Sequence, residues 1–343
     1  MKKLLFVLLF AFAAAALFAQ DIPGALQKRN LVTDKDFADA VNLFSNSEDD
    51  ESVLAAAAAL ADCPPPKTYA NKLYDMVISS DGNGLRRFFA AVILASMSAD
   101  NKELLPSLEN AYSSARDPVL KAYAAAAASI INPSDKTKSD AVVSLYPHDK
   151  IFALKAVNAL YPSEKQIISA LKDASGNKNA GVRTGAAQML GNFINEKSAA
   201  VLFKMLEKEK DADAGSAVAF SLSRMPQFSA RYIPQCLKIK YSSRPAFTCS
   251  LALGFMPGDG FEILKQSLSN SDEDTQINAL RAAAVTAEAL AGKNASSYSS
   301  DVKFDKHNLK TLTALVASLS ANGKTGKIKD YADAAAQSFR KIM

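Results

Sequence analysis

The stretch Asn179-Ala180-Gly181-Val182-Arg183-Thr184-Gly185-Ala186-Ala187-Gln188-Met189-Leu190 decides the fold. Asn179 suits the position before a helix, because its short side chain can accept hydrogen bonds from the free N–H groups of the first helical turn. Val182 is followed by small residues four and five positions later and by Leu190 eight positions later. These offsets lie on one stripe of an α-helix. The stretch therefore predicts an amphipathic helix that can pack closely against a neighbour.

The pattern recurs about every 32 residues along the chain. We call the residue equivalent to Val182 the anchor of its repeat. The anchors are Val53, Leu85, Leu120, Phe152, Val182, Ala214, Pro245, Ile277 and Leu309. Helices of this type are thus expected to start near residues 50, 82, 117, 149, 179, 211, 242, 274 and 306. The predicted N-caps stand three residues before an anchor and are Asp50, Asp117, Asp149, Asn179, Asp211 and Asp274.

A second set of helix-favouring segments lies between these helices, for example 164–174 and 230–241, so each repeat is predicted to be a helical hairpin. One hairpin cannot bury both of its faces, and neighbours must therefore stack. The composition agrees, since 61 of 343 residues are Ala and only 8% are aromatic. We predict an all-α fold, a right-handed α-solenoid of about nine hairpins over residues 20–343, ending in a capping helix at 327–342.

The pattern resembles the second helix of a short HEAT repeat of the phycobilisome-lyase-like kind. The resemblance rests on 179–191 and on the basic residues that follow four anchors, as in that family: Arg86, Lys121, Arg183 and Lys310. It implies a solenoid that binds proteins. These four residues could form a basic ladder at the edge of an inner groove that binds an acidic partner. Alternatively, each could pair with the capping Asp of the neighbouring repeat.

The first nineteen residues have the pattern of a secretory signal peptide. Lys2 and Lys3 precede an apolar run over 4–18, and Ala19 offers a small residue for cleavage. An uncleaved membrane anchor is the alternative. We expect an exported protein, in the bacterial periplasm or outside the cell, with no membrane span in the mature chain.

Charge and composition argue against several classes of function. The net charge is +5, or +3 without Lys2 and Lys3, which is too small to indicate a nucleic-acid partner. The two His and three Cys residues are scattered and do not form a zinc motif. No catalytic constellation is recognisable, and we expect no cofactor.

Two cysteines stand symmetrically about a predicted turn at Ser242-Ser243. In an antiparallel hairpin Cys236 and Cys249 would face each other, close enough for a disulfide. A disulfide and two buried thiols both remain open. Cys63 has no obvious partner in the sequence.

The function predicted from these features is an exported scaffold that binds a protein partner along a concave face without catalysis. The alternatives are an enzyme or enzyme subunit of lyase type on a HEAT scaffold, and a structural spacer in the cell envelope.

Overall fold

The computed structural model describes residues 31–78, 84–98, 101–256, 260–291 and 306–342. In these ranges the chain consists of helices and turns without a β-strand, which confirms the all-α prediction. The whole predicted signal peptide, 1–19, and its cleavage point lie outside the described residues, which begin at 31. The chain divides into two compact units, one ending at Ile167 and the other starting at Ile168.

The first unit contains eight α-helices in its described residues. They are α1 Asp34–Asn46, α2 Asp50–Asp62, α3 Ala70–Ile78, α4 Gly84–Met97, α5 Leu105–Ser114, α6 Pro118–Ile131, α7 Ser139–Leu145 and α8 Lys150–Leu160. Short 3-10 helices at Lys67–Tyr69 and Lys102–Leu104 lead into α3 and α5. Helix α9, Glu164–Ala174, contains the boundary between the units.

The described residues of the second unit form ten further α-helices. They are α10 Ala180–Leu190, α11 Glu196–Lys208, α12 Ala212–Ser223, α13 Pro226–Ser229, α14 Ile233–Cys236, α15 Arg244–Phe255, α16 Gly260–Leu268, α17 Glu273–Leu290, α18 Lys306–Asn322 and α19 Gly326–Phe339.

The helices that contain the anchors from Val53 to Ile277, which we call the capped helices, pack side by side in chain order within each unit. In the first unit the order is α2, α4, α6 and α8, and in the second it is α10, α12, α15 and α17. Helices α1, α3, α5 and α7 each contact the capped helix that follows them in sequence. Small residues allow this spacing, and residues 122–131 of α6 are buried on every side.

Two capped helices of the second unit approach closely at a glycine. A Cβ on Gly254 of α15 would lie 2.6 Å from Val285 Cβ and 2.8 Å from the Ala282 carbonyl oxygen of α17. The Thr286 hydroxyl donates to the Gly254 carbonyl at 3.0 Å. Glycine is required here because α17 occupies the space that a side chain would fill.

Four of the predicted N-caps are confirmed, and two are wrong. The side chains of Asp117, Asp149, Asn179 and Asp211 accept hydrogen bonds from first-turn N–H groups. Helices α2 and α17 begin earlier than predicted, so Asp49 and Asp272 cap them. Asp50 lies in the first turn of α2, and Asp274 instead accepts from the Tyr241 N–H at 2.8 Å.

The structure has no continuous helix over 230–241. Instead, α13 and α14 are four residues each, and each has a proline in its first turn. Pro234 lacks an N–H donor and fits only at a helix start, so within 230–241 the α-helix is limited to α14, whereas α13 starts at Pro226 and ends before residue 230.

The last hairpin packs differently from the predicted arrangement. Helix α19, not α18, lies against α17, while α18 contacts α19 and α16. The buried residues of α19 include Ile328, Ala332, Ala335 and Phe339, whose spacing of three and four forms one apolar stripe. The C-terminal helix thus takes the place that the sequence pattern assigned to the helix starting near 306.

Candidate functional site

Arg86 of α4 is held by the backbone of the first hairpin. Its Nε donates to the Phe44 carbonyl at 3.1 Å, and an Nη donates to the Ser47 carbonyl. These carbonyls lie at the C-terminal end of α1, where a positive charge is favourable. Asn278 of α17 also follows an anchor by one position, and its side-chain amide donates to the backbone carbonyls of Leu237 and Ile239.

Arg183 forms a two-pronged ion pair with Glu209, the residue that ends α11. Its Nε and Nη2 each lie 2.8 Å from a Glu209 carboxylate oxygen. The same carboxylate accepts from the backbone N–H groups of Lys210 and Asp211. Burial raises the pKa of Glu209, but these hydrogen bonds outweigh it and hold the pKa below its ordinary value. Arg183 thus pairs with Glu209, two residues before the capping Asp211, and not with Asp211 itself.

The other two ladder residues have different surroundings. The Lys121 ammonium lies 4.8 Å from the centre of the Tyr112 ring of α5. Lys310 is exposed on α18. The structure therefore engages Arg86, Lys121 and Arg183 in contacts within the chain, and partner binding by the ladder stays a prediction.

A different set of side chains forms a partly open apolar stripe on two neighbouring capped helices of the second unit. On α12 and α15 the residues not buried by neighbouring helices recur every three or four positions, so they lie on one face. We call this the open face; its members are Asp213, Ser216, Phe220, Arg224, Arg244, Phe247, Leu251 and Phe255. Because α12 and α15 pack side by side, the two stripes adjoin.

The centre of the open face is apolar and its rim carries arginines. Phe220, Phe247, Leu251 and Phe255 are all half-buried. The Arg224 guanidinium lies 5.9 Å from the centre of the Phe220 ring. Arg244 lies 5.4 Å from the centre of the Phe247 ring.

Arg244 has unused hydrogen-bonding capacity. Its Nε is buried without a hydrogen-bond partner, and none of the ion pairs in the described part of the chain involves it. A guanidinium can bind a carboxylate through two parallel N–H groups. The open face therefore combines apolar contact area with a half-buried arginine that makes no ion pair in the described residues and whose guanidinium could donate to an acidic group.

The equivalent positions on two capped helices of the first unit are buried. Six residues after their anchors, α4 and α6 carry Ala91 and Ala126, which are buried, whereas α12 and α15 carry Phe220 and Leu251. Helix α8 also contacts α2, and Lys155 of α8 donates to the Ser96 carbonyl at 2.9 Å. Burial lowers the pKa of Lys155 despite the nearby Asp62.

Sequence reasoning missed the open face, although a signal was present. It treated the anchor stripe as the informative one and did not compare residues six positions after the anchors. At that offset the first three repeats have Ala, whereas the repeats of Ala214 and Pro245 have Phe220 and Leu251. These large apolar residues in place of Ala are the sequence signal of the open face.

The two predicted disulfide partners lie on helices that contact each other. Cys236 ends α14 and is half-buried, and Cys249 lies within α15 and is buried. Both are thiols in the structure, as is Cys63. The disulfide between Cys236 and Cys249 stays a prediction.

Two further properties concern the described residues only. They contain no group of three or more His, Cys, Asp or Glu side chains placed to hold a metal ion. None of their helices has both the length and the apolar content needed to cross a membrane.

Comparison with known proteins gives little. No protein-family profile matches the sequence, and no curated protein is significantly similar to it. One similar solved structure is a crystal structure of an engineered protein from a structural genomics consortium. It is 15% identical, and the alignment covers 79% of this chain and 96% of that one with a TM-score of 0.21. A likeness at that score carries no argument about fold or function.

Proposed function

We propose that this protein is an exported HEAT-like α-solenoid that binds a partner protein through the open face. The regular anchor spacing and the chain-order packing of capped helices within each unit support the solenoid. The leader-like residues 1–19 support export.

The observation that carries the proposal is the apolar stripe of the open face. Half-buried Phe and Leu side chains on rigid helices lose little conformational freedom when a partner covers them, which suits them as binding anchors. The guanidinium of Arg224 lies over the Phe220 ring, and that of Arg244 lies over the Phe247 ring. The best-fitting partner is therefore a protein segment with several apolar side chains and an acidic residue at the Arg244 end.

The test is site-specific photo-crosslinking of the full chain in envelope extract. A photoreactive amino acid replaces Leu251 in one variant and Ile194 in the control; Ile194 is 50% exposed and lies outside the open face. We expect a discrete protein adduct from position 251 and none from position 194. Introducing Arg244→Glu into the position-251 variant should reduce the adduct at least about tenfold, because a negative charge that repels an acidic group replaces the guanidinium predicted to donate to it.

Two results would contradict this function. Equal crosslinking from positions 194 and 251 would show that the open face is not a binding surface. A small molecule or chromophore bound in native mass spectra, without a protein adduct, would support the lyase-type alternative. Circular dichroism should first show that each variant keeps the helical content of the unmodified protein.

A further inference from the structure

The two cysteines of the second unit differ in accessibility. Cys249 is fully buried in α15, and its thiol donates to the Ile233 carbonyl of α14 at 3.6 Å. Cys236 closes α14 and is half-buried, so it is the more accessible residue of the pair. An external reagent therefore meets Cys236 first.

The two thiols also differ in reactivity. The interaction with Cys249 lowers the pKa of Cys236 despite its partial burial. Burial raises the pKa of Cys249 well above the ordinary value. Because the thiolate is the attacking species in disulfide exchange, the lower pKa of Cys236 also makes it the first of the two cysteines to react.

We propose that Cys236 and Cys249 form a thiol–disulfide exchange site in which Cys236 attacks an external disulfide and Cys249 resolves the product. In the first step the Cys236 thiolate bonds to one sulfur of the incoming disulfide and the other sulfur leaves as a thiolate. In the second step Cys249 loses its proton, bonds to the Cys236 sulfur and expels the second half as a thiolate. Overall the two cysteines lose two protons and two electrons, and the incoming disulfide is reduced to two thiols.

Formation of the disulfide would change how α14 is attached to the rest of its unit. Helix α14 has only four residues, and its flanks include the proline-containing α13 and the turn before α15. A Cys236–Cys249 bond would tie this short segment covalently to α15, which carries half of the open face. The proposal does not depend on partner binding, since the exchange needs only the two sulfurs and a disulfide.

The test uses the full chain carrying Cys63→Ser, which removes the third thiol. The protein is reduced, exposed to oxidised glutathione, quenched with acid and mapped by mass spectrometry. We expect a peptide that links positions 236 and 249. With Cys249→Ser added, a stable glutathione adduct should accumulate at Cys236. With Cys236→Ser added, Cys249 should stay unmodified in the folded protein and react only in urea.

A second measurement does not rely on those variants folding. A short pulse of a small alkylating reagent on the reduced Cys63→Ser protein should label Cys236 at least about tenfold faster than Cys249. Equal labelling rates, an adduct that accumulates at Cys249, or two unmodified thiols after glutathione treatment would overturn the proposal.

Discussion

The buried residue Glu209 makes a concentrated set of polar contacts. Its side chain is 3% exposed, and its carboxylate accepts from Arg183 and from two backbone N–H groups at the start of the next capped helix. A buried carboxylate is stable only when such donors compensate for its lost hydration. Glu209 therefore joins the end of α11 to both α10 and α12.

We expect Glu209→Gln to destabilise the protein by about 2 kcal/mol at pH 7, because an amide makes weaker hydrogen bonds with Arg183 than a carboxylate does. The pKa of Glu209 is lowered on folding, so its stabilisation is present above about pH 4.3, the ordinary value. It is lost as the pH falls through the lower pKa of the folded state. Urea unfolding at pH 7 and pH 3 should show the difference between variant and wild type shrinking at the lower pH.

The control for this prediction is Glu207→Gln, an exposed glutamate two residues earlier. Its substitution should change the free energy of unfolding by no more than about 0.5 kcal/mol. A Glu209→Gln effect that is the same at both pH values would mean that the carboxylate charge is not what matters.

At the scale of the helices, close approach depends on small residues. Gly254 leaves no room for a Cβ beside Val285, and Ser221 of α12 donates to the Ala187 carbonyl of α10 at 2.8 Å. Neighbouring capped helices are thus joined by backbone proximity and by hydroxyl-to-carbonyl hydrogen bonds.

Gly254→Ala should destabilise the protein by about 2 kcal/mol, because α15 and α17 must move apart. Adding Val285→Ala should recover little of the loss, because it removes the Cγ1 contact but keeps the Val285 Cβ position at 2.6 Å, and the Ala282 carbonyl also remains. Gly326→Ala is the control, as nothing lies within 4 Å of its Cβ position. Thermal unfolding should show no loss for this control, and an equal loss for both glycines would refute the steric explanation.

The sequence predicted the capped helices well because each carries its own signals. A cap, an anchor and small residues recur within twelve positions, as in 179–190. The predictions were wrong where position depends on distant contacts. Nothing local shows that α19 rather than α18 packs against α17, and propensity alone did not reveal that the α-helix within 230–241 is limited to the four residues of α14, which begin just before Pro234. The open face was missed for a different reason: large apolar residues replace Ala at positions 220 and 251, but this signal becomes informative only when the positions six residues after the anchors are compared between repeats.

At the scale of the whole molecule, burial is unevenly distributed between helices. In the first unit, α6 is covered on all sides over 122–131, whereas α5 has Leu108 as its buried residue. Local opening requires the exposure of apolar surface, so these two helices should differ in local stability.

Hydrogen exchange followed by mass spectrometry should show this difference directly. We expect the amides of 122–131 to exchange at least about tenfold more slowly than those of 105–114, which corresponds to about 1.4 kcal/mol in opening free energy. Comparable protection of the two segments would indicate that α5 and α6 open together as one unit.

The enclosed alanines of α6 also set limits on how the sequence can change over generations. Seven of the ten residues from 122 to 131 are Ala or Ser, and larger side chains there would have no space. Positions 220 and 251, by contrast, sit at a partly open surface and can vary in size without disturbing the packing beneath. The surface that we propose as a binding site can therefore change under selection while the framework of the protein stays fixed.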